Sequence, residues 1–309
     1  MRGPNGVEAR AGWTPTALER RALQLHDHVR QLARVDAIWP WLAERHGDVT
    51  AVDAPHAVHP ERFTFRELDQ CIHQAASAFG QQGLKTGDVV ALFSENSPRW
   101  LVADQGLMRV GAADAVRGAS APVEELRYIL DDSAACALVV QNADLLQRLA
   151  LPEERRKQLL FVLQLEGEPA DGVLGWESFL ANGAGTSAMA STGDALTVDA
   201  STADASTAGG DATATILYTS GTTGQPKGVP LTHANLLHQM RTLACVAYPS
   251  PGDPVLSVLP IWHAYERSAS YYFLSCACTQ TYTTIKQLKK DLPRVRPIAM
   301  ATVPRLWES

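Results

Sequence analysis

Between Tyr218 and Val229 the chain reads Tyr-Thr-Ser-Gly-Thr-Thr-Gly-Gln-Pro-Lys-Gly-Val, which gathers hydroxyls, glycines and one lysine directly behind the apolar pair Ile216-Leu217. A polyphosphate needs that combination. Gly221 and Gly224 let backbone amides come close to oxygen atoms, and Thr219, Ser220, Thr222 and Thr223 can donate through their hydroxyls. Lys227 adds a full charge on a flexible stem. Each hydrogen bond to a charged group contributes roughly 1.5 to 3 kcal/mol, so several together can hold a triphosphate against its hydration. The spacing is not that of a Walker A loop: counted from Gly221, Pro226 stands where a second glycine must precede the lysine. That departure weakens a kinase or GTPase reading. A short stretch of this composition would be read as a solvated turn; the length of the string from Ile216 to Gly228 shifts the reading toward phosphate.

A second group lies further along, at Leu259-Pro260-Ile261-Trp262-His263-Ala264-Tyr265-Glu266-Arg267. His263 is the titratable group there that could face a small anion, although a lone histidine is more often a satisfied structural residue. Trp262 and Tyr265 fit the lining of an apolar pocket and the interior of a core equally well. Glu266 and Arg267 can pair with one another or with charges nearby.

The elements that must carry these residues are legible from periodicity. Thr16 and Glu19 have capping-box spacing, and Leu18, Ala22, Leu25, Val29 and Leu32 recur at three- and four-residue steps, which predicts an amphipathic helix. Thr64 and Glu67 repeat the signal ahead of Leu68, Cys71, Ile72, Ala75 and Phe79, with Gly83 placed to end that helix. A strand is expected at Asp88–Phe93, then a helix from Pro98, an extended stretch near Ala112–Val116, a helix from Pro122 and a strand at Cys136–Val140. Further strands are expected at Leu159–Leu165, Thr215–Thr219, Val255–Leu259 and Ile298–Thr302. Helices alternating with short apolar runs predict an α/β fold, with parallel-rich sheets covered by helices. From Asn182 to Ala214 there is no Lys, Arg or aromatic residue, so little apolar area offsets the ordering of the chain. That stretch reads as a flexible insertion, with an Ala-rich helix as the alternative. The division that follows is a helical segment 1–60, a first α/β part 61–181, a low-complexity insertion 182–214 and a phosphate-loop α/β part 215–309.

A chain that is 46% hydrophobic and 19% charged can bury a large core. Its net charge of -6 argues against a general binder of nucleic acid or anionic membrane, both of which need a positive surface. Cys71, Cys136, Cys245, Cys276 and Cys278 form no C-x-x-C pair, so neither a disulfide framework nor a structural zinc site is suggested, and reduced thiols fit a cytoplasmic setting. Met1–Arg10 lacks the apolar core of a secretory signal, and no run of about 18 uncharged apolar residues occurs. Peripheral membrane contact leaves no clear signature and stays open.

The string from Tyr218 to Val229 resembles the signature loop of the adenylate-forming, or AMP-binding, ligase superfamily, which includes acyl-CoA synthetases, luciferases and peptide-synthetase adenylation domains. Phe63-Thr64-Phe65-Arg66-Glu67-Leu68 and the stretch Asp88–Trp100 extend the likeness. Leu259–Arg267, Leu288–Leu292 and Val303–Ser309 resemble the long-chain fatty acyl-CoA synthetase branch. Val116–Pro122 followed by Glu124-Glu125-Leu126 is similar to cyanobacterial and plastid members, some of which load acyl carrier protein in place of coenzyme A. The resemblance covers nearly the whole chain outside its first residues and 182–214, and implies the front part of the large N-terminal domain of these enzymes. It implies ATP and Mg2+ as cofactors, a fatty acid as substrate, and coenzyme A or acyl carrier protein as acceptor. By the same resemblance Thr219, Ser220, Gly221, Thr222, Thr223, Gly224 and Lys227 hold the β- and γ-phosphates and the departing pyrophosphate, with Thr219 near Mg2+. His263 and Lys227 are then the catalytic candidates, His263 lying nearest the substrate carboxylate, and Trp262 and Tyr265 line the acyl tunnel. The family's Tyr-Gly-x-Thr-Glu stretch, its ribose-holding aspartate and its C-terminal lysine have no counterpart before Ser309. The chain is therefore expected to be an incomplete fragment that forms no acyl-adenylate alone. A non-catalytic nucleotide- or acyl-binding module is the alternative reading, and a misfolded remnant the third.

Overall fold

The computed structural model describes residues 27–58, 60–189, 209–219, 225–244 and 247–308, with isolated positions 14, 16, 17 and 20 ahead of them. The helix expected from Thr16 falls largely outside the described residues; 27–31 are helical and carry the buried Val29. A 3-10 turn at Val35–Ala37 leads into α1 (Ile38–His46), β1 (Thr50–Ala54) and β2 (Glu61–Thr64). Thr64 caps α2 (Phe65–Gln81) as its spacing predicts: its hydroxyl accepts from the Glu67 N–H at 3.3 Å, and the Glu67 carboxylate accepts from the Thr64 N–H at 2.8 Å. β3 (Val89–Phe93), α3 (Pro98–Val110), β4 (Ala113–Arg117), α4 (Val123–Asp132) and β5 (Ala137–Val140) follow. Ser97 caps α3, and Gly111 ends it in the left-handed region at φ 85°. Next come α5 (Ala143–Leu149), α6 (Glu153–Lys157), β6 (Val162–Gln164), β7 (Leu174–Gly175) and α7 (Trp176–Met189). The last part holds β8 (Thr213–Thr219), β9 (Lys227–Thr232), α8 (His233–Leu243), β10 (Pro254–Ser257) and α9 (Ala264–Ser275), then β11 (Thr279–Tyr282), α10 (Leu288–Val295) and β12 (Ala299–Met300).

The strands form two sheets. One has the order β7-β6-β5-β3-β4-β8-β9 and is parallel except for the antiparallel β8–β9 pair. Its strands β3 and β5 are covered on both faces, which is why they read as unbroken apolar runs. In β3, Val90 and Leu92 enter the core shared with α2 and α3, while Ala91 and Phe93 enter the core shared with α4. The other sheet has the order β12-β10-β11-β1-β2, parallel apart from β1–β2.

Two boundaries read from the sequence move. Segment 1–60 is not wholly helical: β1 lies within it and pairs with β11, so residues from both ends of the chain build one sheet. The expected insertion 182–214 is helical over its first part, because α7 runs to Met189. Small residues there serve close packing: a Cβ on Gly183 would lie 2.0 Å from the Gln74 carbonyl oxygen on α2. Residues 190–208 lie outside the described residues, and β8 begins at Thr213.

Candidate active site

The phosphate-loop string is flanked by two strands, β8 and β9, that pair antiparallel. Thr219 ends β8, Lys227 begins β9, and the two are cross-strand partners, both exposed. A Walker A loop instead joins a strand to a helix, so the hairpin agrees with the spacing that excluded it. Ser220, Gly221, Thr222, Thr223 and Gly224 lie outside the described residues. The root of the hairpin is anchored from behind. Tyr218 and Gly228 face one another across the pair, and a Cβ on Gly228 would meet the Tyr218 ring at 3.0 Å. The Tyr218 hydroxyl donates to Asp132 Oδ2 at 2.8 Å, and Asp132 Oδ1 accepts from Tyr128 at 3.0 Å. Burial, and then Asp132, push the Tyr218 phenol well up, so it stays protonated as a donor.

β3, β4, β5 and β8 run parallel, so their carboxyl ends open along one edge, the place where such sheets commonly bind ligands. The second cluster is drawn to this edge by the loop after β3. Asn96 donates through Nδ2 to Leu259 O at 2.8 Å and accepts the Ile261 N–H through Oδ1 at 2.9 Å. In the loop after β4, Gly118 lies under Trp262, where a Cβ would sit 2.4 Å from the indole ring. Trp262 is 8% exposed and belongs to the core. His263 stands at the N-terminal boundary of α9 with its side chain exposed. Burial of part of its ring, and then the positive charge of Arg117, lower its imidazole pKa below the ordinary histidine value.

Glu266 and Arg267 do not pair with each other; they face different sheets. Glu266 Oε1 accepts from the Ser257 hydroxyl of β10 at 2.6 Å, and burial pushes its carboxyl up to about 7. Arg267 is fully buried and donates to Thr215 of β8 at 2.8 Å, to Tyr271 at 3.0 Å, and to Asp104 of α3 and Asp114 of β4. Burial raises the Asp114 carboxyl, against the opposing pull of Arg267. A fully buried guanidinium held by two carboxylates is costly to unpair, so this group fixes α9 against the seven-stranded sheet.

Between β9, α8 and α9 lies an apolar hollow of about 310 Å³, lined among others by Leu231, Leu236, Leu243, Ala264, Tyr265 and Ala269. Tyr265 is 57% exposed and forms part of this wall; Trp262 does not. Leu231 is four residues along β9 from Lys227, a span of about 13 Å at strand rise. The hairpin strand that starts at Lys227 and the helix that starts after His263 therefore share one apolar wall. Among the described residues no group of three or more His, Cys, Asp or Glu could hold a metal ion. The Thr219 hydroxyl, at the end of β8, is an oxygen available to a hard cation there. Among the described residues no helix is long and apolar enough to cross a membrane.

Sequence reasoning passed over Asn96, Gly118 and Ser257, which place the His263 turn. The charged network had a visible signal: Asp104 stands inside the apolar run Trp100–Met108, and Asp114 inside Ala112–Val116.

The family model described as AMP-binding enzyme matches residues 39–309. A chloroplastic long-chain-fatty-acid–[acyl-carrier-protein] ligase of Arabidopsis thaliana is 38% identical over 283 residues, covering 89% of this chain and 38% of that protein. A long-chain-fatty-acid–CoA ligase of Mycobacterium tuberculosis is 28% identical over 286 residues, covering 91% of this chain and 42% of that protein. Among solved structures, a long-chain-fatty-acid-CoA ligase from Archaeoglobus fulgidus superposes with a TM-score of 0.74 at 23% identity, over 90% of this chain and 53% of that one. The chain thus spans about two fifths of the length of these curated relatives.

Proposed function

The chain belongs to the AMP-binding enzyme family, and from that premise we propose that it forms the phosphate-holding and acyl-facing part of an ATP-dependent ligase for long-chain fatty acids. In the reaction proposed, a carboxylate oxygen attacks the α-phosphorus of ATP and the bond to the β-phosphate oxygen breaks, releasing pyrophosphate. A thiol of coenzyme A or acyl carrier protein then attacks the acyl carbon; AMP leaves with the bonding pair, and the thiol proton passes to solvent. Lys227 and the hydroxyls of the hairpin turn bind the β- and γ-phosphates. Positioning and charge stabilisation do most of the work in such chemistry. Mg2+, held by triphosphate oxygens and Thr219, would neutralise charge on the leaving group. His263 faces the carboxylate, and Tyr265 lines the path of the acyl chain.

One observation carries the reading: an apolar hollow whose walls are the strand rooted at Lys227 and the helix rooted at His263. Its volume of about 310 Å³ lies at the lower end of the range of roughly 300 to 1,000 Å³ common to small-molecule sites. The similarity to two long-chain-fatty-acid ligases supports the same substrate class. The test separates the two halves of the site by calorimetry on the chain. Ala269→Trp, which fills the hollow, should weaken palmitate binding at least about tenfold and leave ATP binding unchanged. Lys227→Ala should do the reverse. Palmitate binding that is indifferent to Ala269→Trp would sink the acyl assignment, and ATP binding with no palmitate binding would favour a nucleotide-binding module.

A further inference from the structure

Three side chains outside the phosphate turn and the apolar hollow form one chain of hydrogen bonds behind the His263 turn. Asn96 grips Leu259 O and the Ile261 N–H, and its Nδ2 also lies 3.3 Å from Ser257 Oγ. The Ser257 hydroxyl in turn donates to Glu266 Oε1 at 2.6 Å. The turn 259–263 is thus held at two backbone groups by a loop of the seven-stranded sheet, and Ser257 links that loop to Glu266 in the first turn of α9. His263 makes no side-chain cap to its own helix, so the start of α9 is set by these neighbours. The Asn96 amide both donates and accepts, a pairing a carboxylate cannot reproduce.

We propose that Asn96, Ser257 and Glu266 are positioning residues of the site, which set where His263 meets the substrate by acting through the turn and without touching ligand. The nature of that substrate rests on the reading above; the arrangement of the turn does not. Loosening it should carry the His263 ring away from its partial cover and from Arg117, the two influences that lower its pKa.

The experiment reads His263 directly, by NMR titration of the histidine-labelled chain, with His263→Gln assigning the signal. In Asn96→Asp, Ser257→Ala and Glu266→Ala the His263 midpoint is expected to rise toward the ordinary histidine value, while the signals of the other histidines hold still. Palmitate affinity should fall roughly tenfold in the same variants. Glu266→Gln keeps an acceptor for Ser257 and should retain the parent midpoint. If Glu266→Ala does not fold, Asn96→Asp and Ser257→Ala carry the same test. A parent-like His263 midpoint in folded Asn96→Asp and Ser257→Ala overturns the proposal. Midpoints that move as stated in a chain that never binds palmitate would leave the positioning role standing and remove the fatty-acid reading.

Discussion

Lys227 has a fixed root and a free end: its backbone begins a paired strand opposite Thr219, and its side chain is exposed. In the proposed ligase its ammonium can follow pyrophosphate as charge develops on it, so Lys227→Ala should slow adenylation by about 100- to 1,000-fold while weakening ATP binding far less. Lys286, exposed and outside the hairpin, is the control; equal, small effects of alanine at both positions would remove the role given to Lys227. A second prediction concerns Gly228. A methyl group there must push the Tyr218 ring, which meets it at 3.0 Å, and disturb the bond to Asp132. Gly228→Ala should cost about 1 to 3 kcal/mol and Tyr218→Phe about 1 kcal/mol. Because they damage one contact, the double variant should lose less than the sum in urea unfolding. Strict additivity would mean that the ring and the glycine act separately.

At the scale of elements, residues 190–208 and residue 183 should behave oppositely. Deleting 190–208 is expected to leave cooperative unfolding intact, since that stretch has almost no apolar area to contribute. Gly183→Ala should destabilise by about 1 to 3 kcal/mol in the same assay, because α7 meets the α2 backbone there. A deletion as damaging as Gly183→Ala would show that the stretch packs. The contrast marks where sequence reading succeeds. β3 and β5 were legible because strands buried on both faces must be apolar throughout, and α2 because Thr64 and Glu67 announce it. β11 was not: Thr279-Gln280-Thr281-Tyr282 looks polar, and Gln280 is buried because Ser270 donates to it at 2.8 Å from a helix. β9 contains Pro230 and is almost wholly exposed, so it exists through its pairing with β8 and not through local preference. In the site, the residue types that bind phosphate were legible, whereas Asn96 and Ser257 act through partners brought together only by the fold.

Across the whole molecule, two buried groups make stability depend on pH with opposite signs. The Glu266 carboxyl, 2% exposed, is raised from 4.5 to about 7, chiefly by burial. Its contribution is present below pH 4.5 and lost as pH rises through 7, as the unfolded chain gives up that proton first. His233 is 1% exposed and is lowered from 6.5 to about 4, chiefly by burial and then by Arg34, so its contribution is present above 6.5 and lost as pH falls through 4. Glu266→Gln should therefore gain on the parent by on the order of 2 kcal/mol between pH 5 and 7. Denaturant titrations at the two pH values check this, and a difference that does not change with pH would count against a buried, protonated Glu266. The same side chain and its neighbour in sequence also key α9 into a single seat. Successive residues of a helix point about 100° apart, so Glu266 meets Ser257 on one sheet while Arg267 meets Asp114 on the other and Asp104 on α3. Sliding the helix by one residue in one direction would thrust the glutamate between two aspartates; in the other it would press the guanidinium on Ser257. Insertions and deletions between Ser257 and Glu266 are thereby barred unless the turn absorbs them. The wall residues Ala264, Tyr265, Ser268 and Ala269 lie off this key, and are free to change size over evolutionary time, retuning what the hollow accepts while the helix keeps its frame.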